Sequence, residues 1–357
     1  MADNRVQNAA DVRKYLNQRL PKNLMPTNVG GVSKVGWNFT YPVNITLNSV
    51  LNGANWEYTL GPSLRQTVSF QINADAGFLL TAISFAGGPA YCDFRQQPIM
   101  VTIRDAQSSR EFMNSAMPLN NFGNPWAPLI LEKPFYMEPR AMIEIILTTF
   151  EPTTVTRTLA TTLTNPQQPK AQLIFHGVRT RAEDARRMLG SAIASGDPLD
   201  GDFAPGNIGD INDVIWPFWF TFDSRNIGAN QSFQSSVTVT QEAAFIWRYS
   251  MLSVYEPGAD GAAILASGPS LPNALFKVLR DPQSTRVFHD LPETLYGYDP
   301  NFPYFMAAPM LLMPNSAMQL NLSYDGGLAS QYRPIHSIFG YRVRIPGGEN
   351  IASLVTG

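Results

Sequence analysis

The sequence is short of charge, cysteine and histidine, and each shortage excludes something. Asp, Glu, Lys and Arg make up 15% of the 357 residues, against about 25% in an average soluble domain. Asn, Gln, Ser and Thr take their place. A surface so sparsely charged is poorly protected against association, which suits a chain that works in an assembly; a β-rich protein with polar, uncharged strand faces reads the same way. The net charge of −2 argues against a protein whose main task is to neutralise phosphates. The single cysteine, Cys92, excludes an intramolecular disulfide and any metal site built on several thiolates. No apolar run approaches the roughly 20 residues that span a bilayer. The first twenty residues are polar, so no secretory leader is expected. The N-x-S/T sequons at Asn38, Asn44, Asn230 and Asn321 are then chance products of an Asn- and Thr-rich chain.

What is present is a globular, repetitive chain. Hydrophobic residues are 44% of it and aromatics 11%, and the length suits two domains with real cores. Residues 101–113 (VTIRDAQSSREFM) match residues 277–289 (KVLRDPQSTRVFH) at a constant offset. Arg104, Asp105, Gln107, Ser108, Arg110 and Phe112 recur as Arg280, Asp281, Gln283, Ser284, Arg286 and Phe288. Pro134 and Pro139 recur as Pro309 and Pro314, and Gly123 as Gly297. FLLT at 78–81 faces FIWR at 245–248, and IFHG at 174–177 resembles IFG at 338–340. The offsets drift as loop insertions between shared strands would make them drift, so the chain is an internal duplication.

Period-two alternation marks the strands. Val68, Phe70 and Ile72 alternate with Thr67, Ser69 and Gln71; Met318, Leu320 and Leu322 alternate with Gln319, Asn321 and Ser323. Ile99, Val101 and Ile103 form an apolar face, Phe218, Phe220 and Phe222 an aromatic one, and Tyr341, Val343 and Ile345 close the second unit. Many short strands between Pro, Gly and Asn clusters predict an all-β fold of two duplicated, jelly-roll-like β-sandwiches. The expected division is an N-terminal arm over 1–50, sandwich one over 51–180, a helix and linker over 181–216, sandwich two over 217–347, and a tail over 348–357. Helices are expected at 8–20 and 181–195, a strand near Val43–Val50, and an edge strand or strap at 153–164.

The shared R-D-x-Q-S-x-R-x-F motif reads as structure. Asp105 and Asp281 would fold their carboxylates over turn amides, Arg110 and Arg286 would lie on the outgoing strand, and Phe112 and Phe288 would enter the core. His176, His289 and His336 stand at no recognisable spacing from a nucleophile, and no phosphate loop, dinucleotide fingerprint or zincin motif occurs. No catalytic, cofactor or metal residue is therefore assigned, and no enzyme activity is expected. The carboxylates Asp197, Asp200, Asp202, Asp210 and Asp213 lack the spacing of a calcium loop and read as a solvated linker. Arg179, Arg181, Arg186 and Arg187 read as a solvated or locally paired cluster.

Taken together, two β-sandwiches, a helical arm, low charge, many prolines and no catalytic motif resemble a bacteriophage virion structural protein. The resemblance covers the whole chain in architecture and rests on no single motif. It implies a capsid decoration, cement, collar or head-to-tail protein, a homo-oligomer assembled in the host cytoplasm and resident in the virion. The alternative is a double jelly-roll major capsid protein, whose trimers look hexagonal. A third reading is a carbohydrate-binding, host-attachment module, for which Trp37, Trp56, Trp126, Trp216, Trp219 and Trp247 are available. The expected partners are other copies and other virion proteins. Membrane and nucleic acid are not expected, and nothing in the sequence supports glycan.

Overall fold

A computed structural model of the chain describes residues 37–45, 49–52, 55–60, 65–87, 98–107, 110–123, 128–149, 155–159, 171–181, 215–223, 226–228, 230–257, 263–265, 275–282, 287–292, 304–324 and 332–343. These residues are all-β apart from one 3-10 turn, Leu119–Phe122. Among them no helix is long and apolar enough to cross a membrane. The helices expected at 8–20 and 181–195, Cys92, the acidic loop and the tail lie outside the described residues, except Arg181, which is not helical.

The first half contains β1 (Trp37–Ile45), β2 (Ser49–Asn52), β3 (Asn55–Leu60), β4 (Arg65–Gln71), β5 (Gly77–Gly87), β6 (Ile99–Asp105), β7 (Met117–Pro118), β8 (Leu129–Met137), β9 (Met142–Thr149), β10 (Val155–Leu159) and β11 (Ala171–Thr180). The second contains β12 (Ile215–Asp223), β13 (Gln231–Thr238), β14 (Ala244–Pro257), β15 (Ala263–Leu265), β16 (Leu275–Arg280), β17 (Val287–Pro292), β18 (Tyr304–Leu312), β19 (Ala317–Tyr324) and β20 (Arg333–Val343). Roll one pairs sheet β1-β11-β5-β8 with sheet β4-β9-β6-β7. Roll two pairs β12-β20-β14-β18 with β13-β19-β16-β17. Setting aside β2, β3, β10 and β15, the order in each half is first-eighth-third-sixth and second-seventh-fourth-fifth. This is the jelly roll, found twice. The extras form a separate sheet, β10-β3-β2, and an extension of β14 by β15.

Register confirms that the halves correspond strand by strand. Arg104 on β6 faces Glu144 on β9, and Arg280 on β16 faces Gln319 on β19. Phe78 faces Arg179, and Phe245 faces Arg342. Each roll carries a bulge at the same place, where Thr81 and Arg248 have no opposite residue. The glycine beside it recurs too: a Cβ on Gly177 would collide with the Leu79 carbonyl oxygen, and one on Gly340 with that of Ile246. Both tight turns before β9 and β19 place Pro first and a left-handed residue second, Arg140 (φ 68°) and Asn315 (φ 66°). The N–H of Ala141 donates to Glu138 O and that of Ser316 to Met313 O, both at 3.0 Å, the signature of a type II turn.

One boundary differs from the sequence reading. Trp37–Ile45, assigned there to the arm, is β1, paired along its length with β11. Tyr41, Val43 and Ile45 are buried, while Asn38, Thr40, Pro42 and Asn44 are exposed. Pro42 is tolerated because β1 is an edge strand. The Thr-rich stretch becomes β10, paired to β3 rather than to either roll.

Candidate functional site

Each roll buries one arginine at the mouth between its two sheets. In roll one, Arg179 on β11 lies with its guanidinium carbon 4.9 Å from the centre of the Phe39 ring and pairs with Asp75 in the β4–β5 turn. In roll two, Arg342 on β20 lies 3.6 Å from the centre of Phe218 on β12 and 3.6 Å from the carboxylate of Glu242 in the β13–β14 turn. Phe39 faces Gly177 across the strands as Phe218 faces Gly340. The cradle is thus duplicated: an aromatic on the first strand, Gly-x-Arg on the last, an acid in the turn before the third. Apolar rings take the desolvated guanidinium stem while the acid offsets its charge. Burial lowers the Arg342 pKa, and Glu242 and Glu111 pull it back up.

The two mouths differ in closure. In roll one, Tyr41 stacks on Phe70 at 5.2 Å, and Phe70 meets Phe175 at 4.8 Å, bridging the sheets. The Tyr41 hydroxyl accepts from the Asn73 N–H. In roll two a cleft of about 740 Å³ remains, lined by Trp216, Phe218, Phe220, Val237, Arg342 and Glu242. Roll one contributes Arg110, Glu111 and Asn114 to the lining of this cleft. Arg110 lies over the Trp216 ring at 5.2 Å.

Those last residues belong to the seam between the rolls. After Glu111, which bridges to Arg104, the chain leaves its own sheet. Phe112 O accepts from the Trp219 N–H at 2.9 Å, and the Asn114 N–H donates to Trp219 O at 3.1 Å. Asn114 Oδ1 accepts from the Thr221 N–H at 2.7 Å. The 3-10 turn then lies on the outer face of the β12-β20-β14 sheet: Phe122 meets Trp219, and fully buried Asn121 donates to Ser337 Oγ at 3.1 Å and accepts from Ser253 Oγ at 2.8 Å. Met100, Tyr255 and Ile335 form a small apolar cluster alongside. The sheet of roll two is therefore buried on both faces.

The shared motif serves this framework. Arg104 Nε donates to Glu144 at 2.6 Å, and Asp105 Oδ1 accepts from the Gln107 N–H at 2.9 Å. Gln107 Nε2 donates to Arg140 O at 3.0 Å, tying two turns together. Phe112 is buried beside Phe135. Arg280 Nε donates to Gln319 at 2.7 Å, and Phe288 meets Trp247. Ser108, Gln283, Ser284 and Arg286 lie outside the described residues. Of the motif's described residues only Arg110 lines the cleft. Arg342, Glu242 and Gly340 were not singled out from the sequence. The signal was there: W-x-F at 37 and 216, and G-x-R at 177 and 340.

The histidines do not converge. His336 is buried inside roll two near Phe222. His176 Nε2 lies 2.7 Å from Ser84 Oγ on the outer face of roll one, the spacing of a base and a nucleophile. Ser84 is fully buried, and burial alone lowers the His176 pKa, with no charged neighbour taking part. The Ser84 hydroxyl has no access to solvent, and among the described residues no acid orients the imidazole. Among the described residues no cluster of His, Cys, Asp and Glu could hold a metal ion. Trp216, Trp219 and Trp247 are buried, not displayed for stacking on sugar.

No family model matches this chain, and no curated protein does. Solved structures do. A chain of the Sulfolobus turreted icosahedral virus is 12% identical, with a TM-score of 0.40, covering 89% of this chain and 94% of that one. The STIV MCP is 12% identical, with a TM-score of 0.37, covering 89% and 100%. N-glycanase F (PNGase F) is 8% identical, with a TM-score of 0.34, covering 85% and 96%. The likeness is distant, to viral proteins and to an enzyme alike.

Proposed function

We propose that the chain is a structural subunit of a virus shell, a non-enzymatic double jelly roll that assembles with copies of itself in rings of three chains and six rolls. The observation that carries this is the seam. Roll one docks its Phe112–Phe122 segment onto the outer sheet face of roll two, so unlike surfaces meet. A contact of that kind, repeated head to tail between copies, makes a ring where its rotation closes and a filament where it does not; the proposed ring of three is the closed case. Among the described residues nothing covers the corresponding face of roll one over β1 and β11. Asn38, Thr40, Pro42 and Asn44 are exposed there, and Gln172, Ile174 and His176 are half-buried. No Asp, Glu, Lys or Arg stands among them. Roll two in turn exposes Val287, 49% accessible, at the start of the strand equivalent to the docking segment. Decoration, cement or collar roles require only sandwiches. Two rolls of one topology, side by side with such a contact between them, support the shell role instead. Electron microscopy of the purified protein tests it. Six-lobed, hexagonally outlined particles are expected, and a field of isolated two-lobed molecules contradicts the proposal.

A further inference from the structure

Roll one shows what the mouth of roll two lacks. Phe70 faces Ile143 and Val237 faces Met318, and these partners stand at the same distance beyond the shared prolines Pro139 and Pro314. Val237 thus occupies the place of Phe70, with most of a ring missing. Glu242 occupies the place of Asp75 but holds Arg342 only at 3.6 Å. The same mouth is plugged in one roll by an aromatic ring and a close carboxylate, and open in the other by about 740 Å³, a volume usual for a binding cleft.

A second feature lies beside it. β13 is the edge of its sheet, paired only with β19 among the described residues. Its sequence, QSFQSSVT, has no charge and no proline, the devices that ordinarily guard an edge against strand addition. Ser236, Val237 and Thr238 of this strand line the cleft.

We propose that the mouth of roll two binds an extended polypeptide segment of another protein, which adds to the edge of β13 and brings an aromatic side chain and a carboxylate to the places held in roll one by Phe70 and Asp75. The ring lies over Val237, in the place Phe70 takes in roll one, and the carboxylate meets Arg342. Backbone pairing gives affinity and the two side chains give selection. The site stands in the single chain and does not depend on how copies assemble.

The test uses the purified full chain and protein-observed NMR. The probe 3-phenylpropionate carries the ring and the acid. It should bind saturably, and 3-phenylpropan-1-ol, without the acid, should bind about tenfold more weakly. Val237→Phe restores the plug of roll one and should remove binding. Glu242→Gln, at a side chain 55% exposed, removes the competing acid and should tighten binding several-fold, with the melting temperature read alongside because it also takes the counter-charge from Arg342. Among acetylated, amidated threonine-rich peptides carrying Phe and Asp at varied spacing, the tightest should exceed 3-phenylpropionate by about tenfold or more. Absence of saturable binding, indifference to both substitutions, no gain from any peptide, or binding of N-acetylneuraminate in place of the aromatic acid would each overturn the proposal.

Discussion

Arg140 holds a left-handed backbone that glycine adopts freely, and its roll-two counterpart, Asn315, is among the residues that tolerate it. A non-glycine residue there costs about 1–2 kcal/mol, against about 0.5–1 kcal/mol of added chain entropy for glycine. Arg140→Gly should therefore stabilise roll one by about 0.5–1 kcal/mol in urea titration, with Asn315→Gly gaining less. His176 gives a pH dependence. Its folded pKa lies below the usual 6.5 because burial penalises the charged form. The unfolded chain then binds the proton first, so stability is complete above about pH 6.5 and is lost as pH falls toward the folded value. Melting temperatures between pH 7.5 and 5 should fall for the parent protein and fall less for His176→Asn. An equal fall in both would place the acid sensitivity elsewhere.

Glycines 177 and 340 show how one absent atom sets an element. Each lets the last strand approach the bulged third strand closely, and Gly340→Ala must push against the Ile246 carbonyl. The expected cost is about 1–3 kcal/mol, as for overpacking elsewhere, read as a lower denaturation midpoint. Much of this level was legible. The sixth and seventh strands announced themselves through Pro134, Pro139, Pro309 and Pro314, and β6 and β16 through the shared motif. The first strands were not matched. Asn38, Thr40, Pro42 and Asn44 leave β1 looking like arm, while WPFWFTF in β12 reads as a buried run because both its faces are covered. The cradle escaped for a different reason. Arg179 sits among other arginines in sequence, and only the fold brings Asp75 and Phe39 to it.

At the scale of the whole molecule the two rolls cohere through a polar seam. Asn121 satisfies Ser253 and Ser337 in a place without exposure. Asn121→Ala leaves those hydroxyls short of partners and should cost about 1–3 kcal/mol, with unfolding that separates into two transitions if the seam couples the rolls. The central claim is that this head-to-tail contact continues between copies over the uncharged face of β1 and β11. The most direct measurement is molar mass by light scattering, for the parent chain and for Ile174→Arg, which sets a charge in the middle of that face. The account predicts three times 39.5 kDa for the parent and a single folded chain for the variant. A parent that runs as one chain, or a variant that still runs as three, would contradict it.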